Sequence, residues 1–360
     1  MIHRTPAALI AVLSMGLVFA FAAEARVPRD FVGVSSEDVF AHGGAYRNAT
    51  LGAQAALGIG TIRQNFDWAR IERAPGRYDF SAYDGFVAAA AGHGIRVLPI
   101  LFNPPPFHAG LPVSRPTYPP KSNESMAGFA VALVNRYGPG GSLWRELPGV
   151  PKLPIRSWQI WNEPLLPVYW GNRPNAKAYV RMLRVVGRAI KRADRRAEIV
   201  TAGLPPSKLA GAIRLERFIK QIYKARGKRY FDTLAINSYA RNRRELATLL
   251  RSVRRIMRRA HDRKAKLWIT ELGWGDSGPR HRFVVGALGQ AHRISSCLST
   301  IRKLRRRLRL RGVVYFSWRD ARPYPPEYKD MWGLHTGLLD INGRPKPAFG
   351  ALKAAVARLR

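Results

Sequence analysis

Eight short apolar runs, each separated from the next by a longer segment, restrict this chain more than any other feature of its sequence. The runs cover residues 31–35, 61–65, 95–101, 157–161, 198–202, 233–237, 266–270 and 312–317. Between them lie stretches such as 176–194 and 243–260, whose apolar residues recur at three- and four-residue spacing. That spacing places them on one face of a helix. Strand-like runs alternating with helical patterns imply βαβ units and a parallel sheet. Eight such repeats in about this length predict a closed, TIM-type (β/α)₈ barrel rather than an open sheet. The 360 residues are 46% hydrophobic and 23% charged, enough for a full core and too balanced for a disordered chain. No linker or low-complexity segment follows Arg26, so residues 26–360 read as one barrel domain.

The N-terminus reads differently. His3 and Arg4 precede an apolar stretch over residues 7–23, and Ala23-Glu24-Ala25 forms a small-x-small site. Residues 1–25 are therefore expected to be a signal peptide, cleaved before Arg26, with the mature protein secreted. An uncleaved N-terminal anchor is the alternative, since the stretch is just long enough to span. No other stretch is, so no membrane span is expected after cleavage. Cys297 is the only cysteine, which excludes an internal disulfide; it lies in a helical pattern and reads as a buried small hydrophobe. No Cys/His cluster has metal-ligand spacing, so no metal site is expected.

The charge is the outlier, with 61 basic against 23 acidic residues, or +38. Such a chain is drawn to polyanions whatever its chemistry. Arg181, Arg184, Arg188, Lys191, Arg192, Arg195 and Arg196 recur at helical spacing, as do Arg251, Arg254, Arg255, Arg258 and Arg259. In a barrel these helices form the outer ring, so both series are expected on a solvated outer face. No aromatic residues interleave with them at the density of a stacking platform, which argues against a dedicated nucleic-acid site. An anionic polysaccharide or cell-wall polymer remains a candidate partner for the basic surface.

Prolines and glycines gather just after the strand-like runs. Examples are Asn103-Pro104-Pro105-Pro106-Phe107-His108, the stretch 112–120, Leu204-Pro205-Pro206, and the segment from Trp274 to Pro279. In a barrel these loops form the C-terminal mouth, where substrate binds. Long, stiff loops there fit a cleft for an extended ligand.

Two glutamates stand at strand ends on that side. Glu163 follows the run Ser157-Trp158-Gln159-Ile160-Trp161 and precedes Pro164, which stiffens the backbone behind it. Glu271 ends Leu267-Trp268-Ile269-Thr270. Cleavage of a glycosidic bond needs a proton donor on the leaving oxygen. In retaining enzymes it also needs a carboxylate that attacks the anomeric carbon, roughly 5–5.5 Å from the first. The fourth and seventh strands can bring two such groups together across a barrel mouth. Two carboxylates suffice for this chemistry, so no cofactor is expected.

Trp161-Asn162-Glu163-Pro164 on the fourth strand and Thr270-Glu271 on the seventh resemble glycoside hydrolase clan A, which contains the cellulase family 5 and the β-xylosidase family 39. The segment from Phe66 to Glu72, Pro75-Gly76-Arg77-Tyr78-Asp79-Phe80, Gly94-Ile95-Arg96-Val97-Leu98, Gly333-Leu334 and the stretch from Gly343 to Ala348 extend the resemblance over nearly the whole mature chain. It implies a (β/α)₈ barrel that cleaves β-linked poly- or oligosaccharides with retention, Glu163 as general acid/base and Glu271 as nucleophile. By the same resemblance Arg63 bonds the nucleophile, Asn162 binds the sugar 2-hydroxyl, Tyr239 touches the nucleophile and Trp318 floors the sugar subsite. Asn237-Ser238-Tyr239 departs from the His-Pro-Tyr common in the clan; Asn237 can still bond a sugar hydroxyl but cannot titrate near neutrality. Trp274, with Tyr169, Trp170 and Trp332, is a candidate for extending the cleft, and Asn103 and His108 for loop contacts. Transglycosylation at the same site, and a polyanion-binding barrel without turnover, are the alternatives. The basic field should lower the acid/base pKa and set an acid optimum that rises as salt screens it.

Overall fold

The computed structural model describes residues 27–359 apart from 41, 111–116, 172 and 324–327. The expected signal peptide lies outside the described residues, as does part of the 112–120 loop. Eight strands form the sheet: β1 (Val32–Ser35), β2 (Thr61–Asp67), β3 (Arg96–Phe102), β4 (Ser157–Ile160), β5 (Glu198–Thr201), β6 (Thr233–Asn237), β7 (Lys266–Leu272) and β8 (Leu310–Phe316). Each pairs in parallel with its sequence neighbours, and β1 closes on β8. All eight predicted strands are present, with ends displaced by two residues or fewer.

Eight main helices form the outer ring: α1 (Gly44–Ala56), α2 (Ser81–Gly92), α3 (Asn123–Tyr137), α4 (Ala176–Ala193), α5 (Leu215–Lys224), α6 (Arg243–Arg259), α7 (Ala287–Leu308) and α8 (Pro347–Ala357). Three begin at a polar cap that accepts free backbone N–H groups: Ser122 for α3, Asn175 for α4 and Asn242 for α6. These caps turn the chain from the barrel mouth back down the outer wall. In α4 the apolar stripe Tyr179, Leu183, Val186 and Ile190 is buried, while Arg181, Arg184 and Arg188 face out. Cys297 is buried in α7, as its helical pattern predicts.

One arginine breaks the expected outer-face pattern. Arg254 is only 2% exposed. Its Nε donates to the Leu308 carbonyl at 2.9 Å and its Nη1 to the Ala265 carbonyl at 3.0 Å. Leu308 ends α7, where a helix leaves carbonyls without intrahelical partners. Arg254 supplies them, and burial pulls its pKa down to about 10.

Most of the core lies between sheet and helices. A separate apolar cluster fills the barrel itself: Leu98 of β3, Val200 of β5, Ala235 of β6 and Trp268 of β7. The interior positions of β2 and β4 are polar instead, with Arg63 and Gln159 both buried. Buried polar groups require partners, and these two find theirs in the site at the mouth.

Candidate active site

Alternation alone would misplace Glu271. Trp268 of β7 faces the barrel interior, while Leu267 and Ile269 pack with the outer core. A strict period of two would therefore turn Glu271 outward. The pairing shows why it does not. Ile236 of β6 opposes Ile269, but the next residue, Asn237, opposes Glu271. On the other side Val313 opposes Ile269 and Tyr315 opposes Leu272, again one residue extra on β7. This β-bulge at Thr270 re-aims Glu271 into the barrel, where it is 7% exposed.

Arg63 receives it. The Nη1 of Arg63 lies 2.8 Å from Oε1 of Glu271, its Nε donates to Gln159 at 2.7 Å, and its Nη2 donates to Asn162 at 3.0 Å. One rigid guanidinium thus ties β2, β4 and β7 together. The Tyr239 hydroxyl donates to the other oxygen, Oε2. Burial, then the charges of Glu271 and Glu163, push the Tyr239 pKa well above the usual tyrosine range, so it stays a donor.

Glu163 is held differently. Asn237 donates from Nδ2 to its Oε1 at 2.7 Å, and the Thr270 hydroxyl donates to the Asn237 Oδ1 at 2.9 Å, fixing the amide's orientation. The backbone beneath is strained: Trp161 has φ 73° and Glu163 φ 45°, left-handed values uncommon for side-chain-bearing residues. Such conformations cost about 1–3 kcal/mol each and persist where surrounding structure imposes them. Here the Trp161 N–H donates to Leu101, its indole donates to the Tyr169 carbonyl, and the Glu163 N–H donates to Gly203. Only glycine fits at 203, because a Cβ there would stand 2.1 Å from the Asn237 Oδ1.

The two carboxylates are therefore buried within reach of each other's charge, with unlike partners. Burial first, and the charge of Glu271 second, raise the Glu163 pKa well above the ordinary carboxylate range; Asn237 and Arg63 pull against them without reversing the shift. This local effect runs opposite to the lowering expected from the basic surface. Glu271 instead sits against a fixed cation and a phenol donor.

The structure brings together Arg63, Asn162, Glu163, Asn237, Tyr239 and Glu271. Trp274 and Trp318 share no hydrogen bond with these six, and both are buried. Trp274 is fully buried, its indole donating to the Ala240 carbonyl at 2.7 Å. Trp318 is 2% exposed and packs on Phe349 of α8. Neither presents an open face to a sugar. Trp170 is likewise packed, against Trp161 and Tyr179. The half-buried aromatics are Tyr169 beside Phe102, and Trp332, whose ring meets Tyr239 at 5.0 Å and stacks on His281. Asn103 and His108 serve the loops: Asn103 donates to Asp67, and His108 packs on Trp68 with Nε2 3.3 Å from Glu72.

Two members of the site escaped the sequence reading. Gln159 is a fully buried polar residue inside an apolar strand, a signal visible in Ser157-Trp158-Gln159-Ile160. Thr270 stands in the Thr270-Glu271 motif, but its role in fixing Asn237 depends on the bulge. Among the described residues no three His, Cys, Asp or Glu side chains cluster as a metal site would need.

No protein-family model matches the sequence, and no curated protein does. Solved structures match by fold. A family 39 glycoside hydrolase from the gut symbiont Bacteroides cellulosilyticus WH2 superposes with a TM-score of 0.63 at 20% identity, over 93% of this chain and 64% of the other. The family 39 enzyme from Xanthomonas axonopodis pv. citri gives 0.67 at 19%, over 92% and 67%. A monomeric β-xylosidase from Caulobacter crescentus CB15 gives 0.64 at 20%, over 91% and 68%. The chain thus spans about two thirds of the length of these proteins. What it shares with them is the fold, a single (β/α)₈ barrel of the kind these glycoside hydrolases use.

Proposed function

We propose that this protein is a retaining glycoside hydrolase acting on β-linked sugars, with Glu163 as acid/base and Glu271 as nucleophile. The observation that carries the reading is the unlike environment of two buried, interacting carboxylates. Pairs whose surroundings push them toward different protonation states divide the work of acid and nucleophile. Glu163, whose proton is favoured by burial, is the donor. Glu271, bonded to the Arg63 guanidinium and the Tyr239 hydroxyl, is the nucleophile.

In the first step Glu163 gives its proton to the leaving oxygen as the bond from that oxygen to the anomeric carbon breaks. A Glu271 oxygen bonds to the same carbon, forming a glycosyl ester and leaving Glu163 ionised. Esterification removes the Glu271 charge, the second cause of the raised Glu163 pKa, so Glu163 becomes a carboxylate more readily when a base is needed. It then takes a proton from water, whose oxygen attacks the anomeric carbon. The ester bond breaks and both glutamates return to their starting states. Asn162, half-buried and held by Arg63, would bond the sugar beside the reacting carbon.

Substrate class is carried over from the fold neighbours, which include proteins described as β-xylosidases and an exo-β-1,4-mannosidase. Export is part of the same proposal: N-terminal sequencing of secreted protein should begin at Arg26. The deciding experiment is a panel of aryl β-glycosides and β-linked polysaccharides with wild type and Glu271→Gln side by side. Wild type should turn over at least one, with the β-anomer as first product by NMR, and Glu271→Gln should lose activity by about 10³-fold or more. An α-anomer as first product would replace retention with inversion. Full activity in the variant would remove Glu271 from the chemistry.

A further inference from the structure

The barrel carries a second concave site at its other end. Around the N-terminal ends of the strands lies a cavity of about 800 Å³, within the ~300–1,000 Å³ range of ligand pockets. Its inner ring comes from residues at or beside the strand starts, and these are partnered. Arg311 pairs with Asp30 at 2.9 Å and Glu198 at 3.4 Å; Lys191 pairs with Asp232 at 2.8 Å; Arg96 and Lys266 lie 3.8 Å from Asp30 and Glu198. This network ties the strand starts together, and fold stability suffices to explain it.

The rim is different. Arg196, Lys228, Arg229 and Lys264 stand on the segments entering β5, β6 and β7, all exposed. None has a carboxylate partner among the described residues. A second cavity of about 370 Å³ shares Lys191, Arg229 and Asp232 with the first and adds Arg188 and Arg192 of α4. The two together form a basic trough running from the barrel floor onto the outer wall. Crowding like charges without counterions costs folding free energy, and a bound polyanion would relieve it.

We propose that this trough binds a carbohydrate polymer bearing repeated carboxylate or sulfate groups, separately from the mouth. Guanidinium forks match both groups bidentately. The aromatics of the trough offer no platform for bases: Trp268 is 2% exposed beneath Arg311, Phe231 is 6% exposed, and Arg188 covers Tyr230. That contrast favours an acidic polysaccharide over nucleic acid. The choice of a carbohydrate rests on the glycosidase reading of the mouth. The trough would hold the enzyme on an acidic matrix while the opposite end engages substrate.

The test uses the whole protein with polygalacturonate, heparin, neutral dextran and a single-stranded oligonucleotide as probes. One variant carries Arg196→Gln, Arg229→Gln and Lys264→Gln. A control carries Arg181→Gln, Arg184→Gln and Arg251→Gln, removing the same charge from exposed positions on the outer wall. The trough variant should bind polygalacturonate or heparin about tenfold or more weakly, with a shallower fall of affinity with salt, while the control changes by no more than about threefold. Dextran should not bind, and turnover of a small neutral glycoside should be unchanged. Equal losses in both variants would reduce the effect to diffuse surface charge and overturn the proposal. So would failure to bind either acidic polymer, or tighter binding of the oligonucleotide through the same residues. Because the readout is binding, an inactive mouth with an intact trough would refute only the glycosidase reading.

Discussion

At the residue scale, Glu163 makes the sharpest predictions. Its raised pKa moves the alkaline limb of kcat/KM above the range of an ordinary glutamate, since the acid must be protonated to act. Glu163→Gln should lower turnover of natural linkages by about 10²–10⁴-fold. Glycosides with strongly acidic leaving groups need no proton, so their first step should be largely spared. Stability carries the same sign. A carboxyl whose folded pKa is raised contributes fully below its unfolded pKa, and that contribution is lost as pH rises through the folded value. Glu163→Gln should therefore melt higher than wild type at pH 8 and show little difference at pH 4. A variant with no gain at alkaline pH would mean that Glu163 ionises there without penalty. Arg63 acts on the opposite partner. Its guanidinium satisfies Glu271, Gln159 and Asn162 at once, which a lysine ammonium cannot reproduce in one plane.

At the element scale, one buried side chain ties the ends of neighbouring elements together. Arg254 of α6 reaches the end of α7 and the entry to β7 through the Leu308 and Ala265 carbonyls. Arg254→Ala leaves two buried carbonyls without a donor and should cost about 2–5 kcal/mol of stability, measured by denaturant unfolding. Arg255→Ala, one residue along and exposed, should fall within about 0.5 kcal/mol. Equal effects would mean that Arg254 contributes only as another surface charge. The bulge in β7 is the other element-scale device. Its effect on Glu271 was invisible to alternation because it depends on how β6 and β8 register against β7.

At the scale of the whole molecule, two fields compete over the acid. The +38 charge is spread largely over exposed helical arginines, whose field salt screens within about 10 Å at 0.1 M. The pocket is buried, and its own desolvation and carboxylate pair dominate. The alkaline limb should accordingly move by no more than about 0.3 pH unit as ionic strength rises from roughly 0.01 to 1 M, a range over which screening contracts from about 30 to 3 Å. A large upward shift would restore the long-range basic field as the controlling influence. Polyanion binding at the trough should respond to the same salt steeply.

The architecture was legible in the sequence because it rests on local information. Apolar runs with strand lengths, helical periodicity between them and prolines after them each act over a few residues. The positions of Glu163 and Glu271 at strand ends were equally local. What only the tertiary structure decided depends on distant neighbours. Arg254 lies in a run of exposed arginines, and nothing within its helix marks it as the one that finds carbonyls to fill. Trp274 and Trp318 follow strands as sugar platforms would, but both are buried, Trp274 bonded to the Ala240 carbonyl and Trp318 packed on Phe349, from other elements. Asn237 meets Glu163 across 74 residues, and Arg63 meets Glu271 across 208. Periodicity tells which face of an element is apolar, but which neighbour meets that face, and in what register, is settled only when the barrel closes.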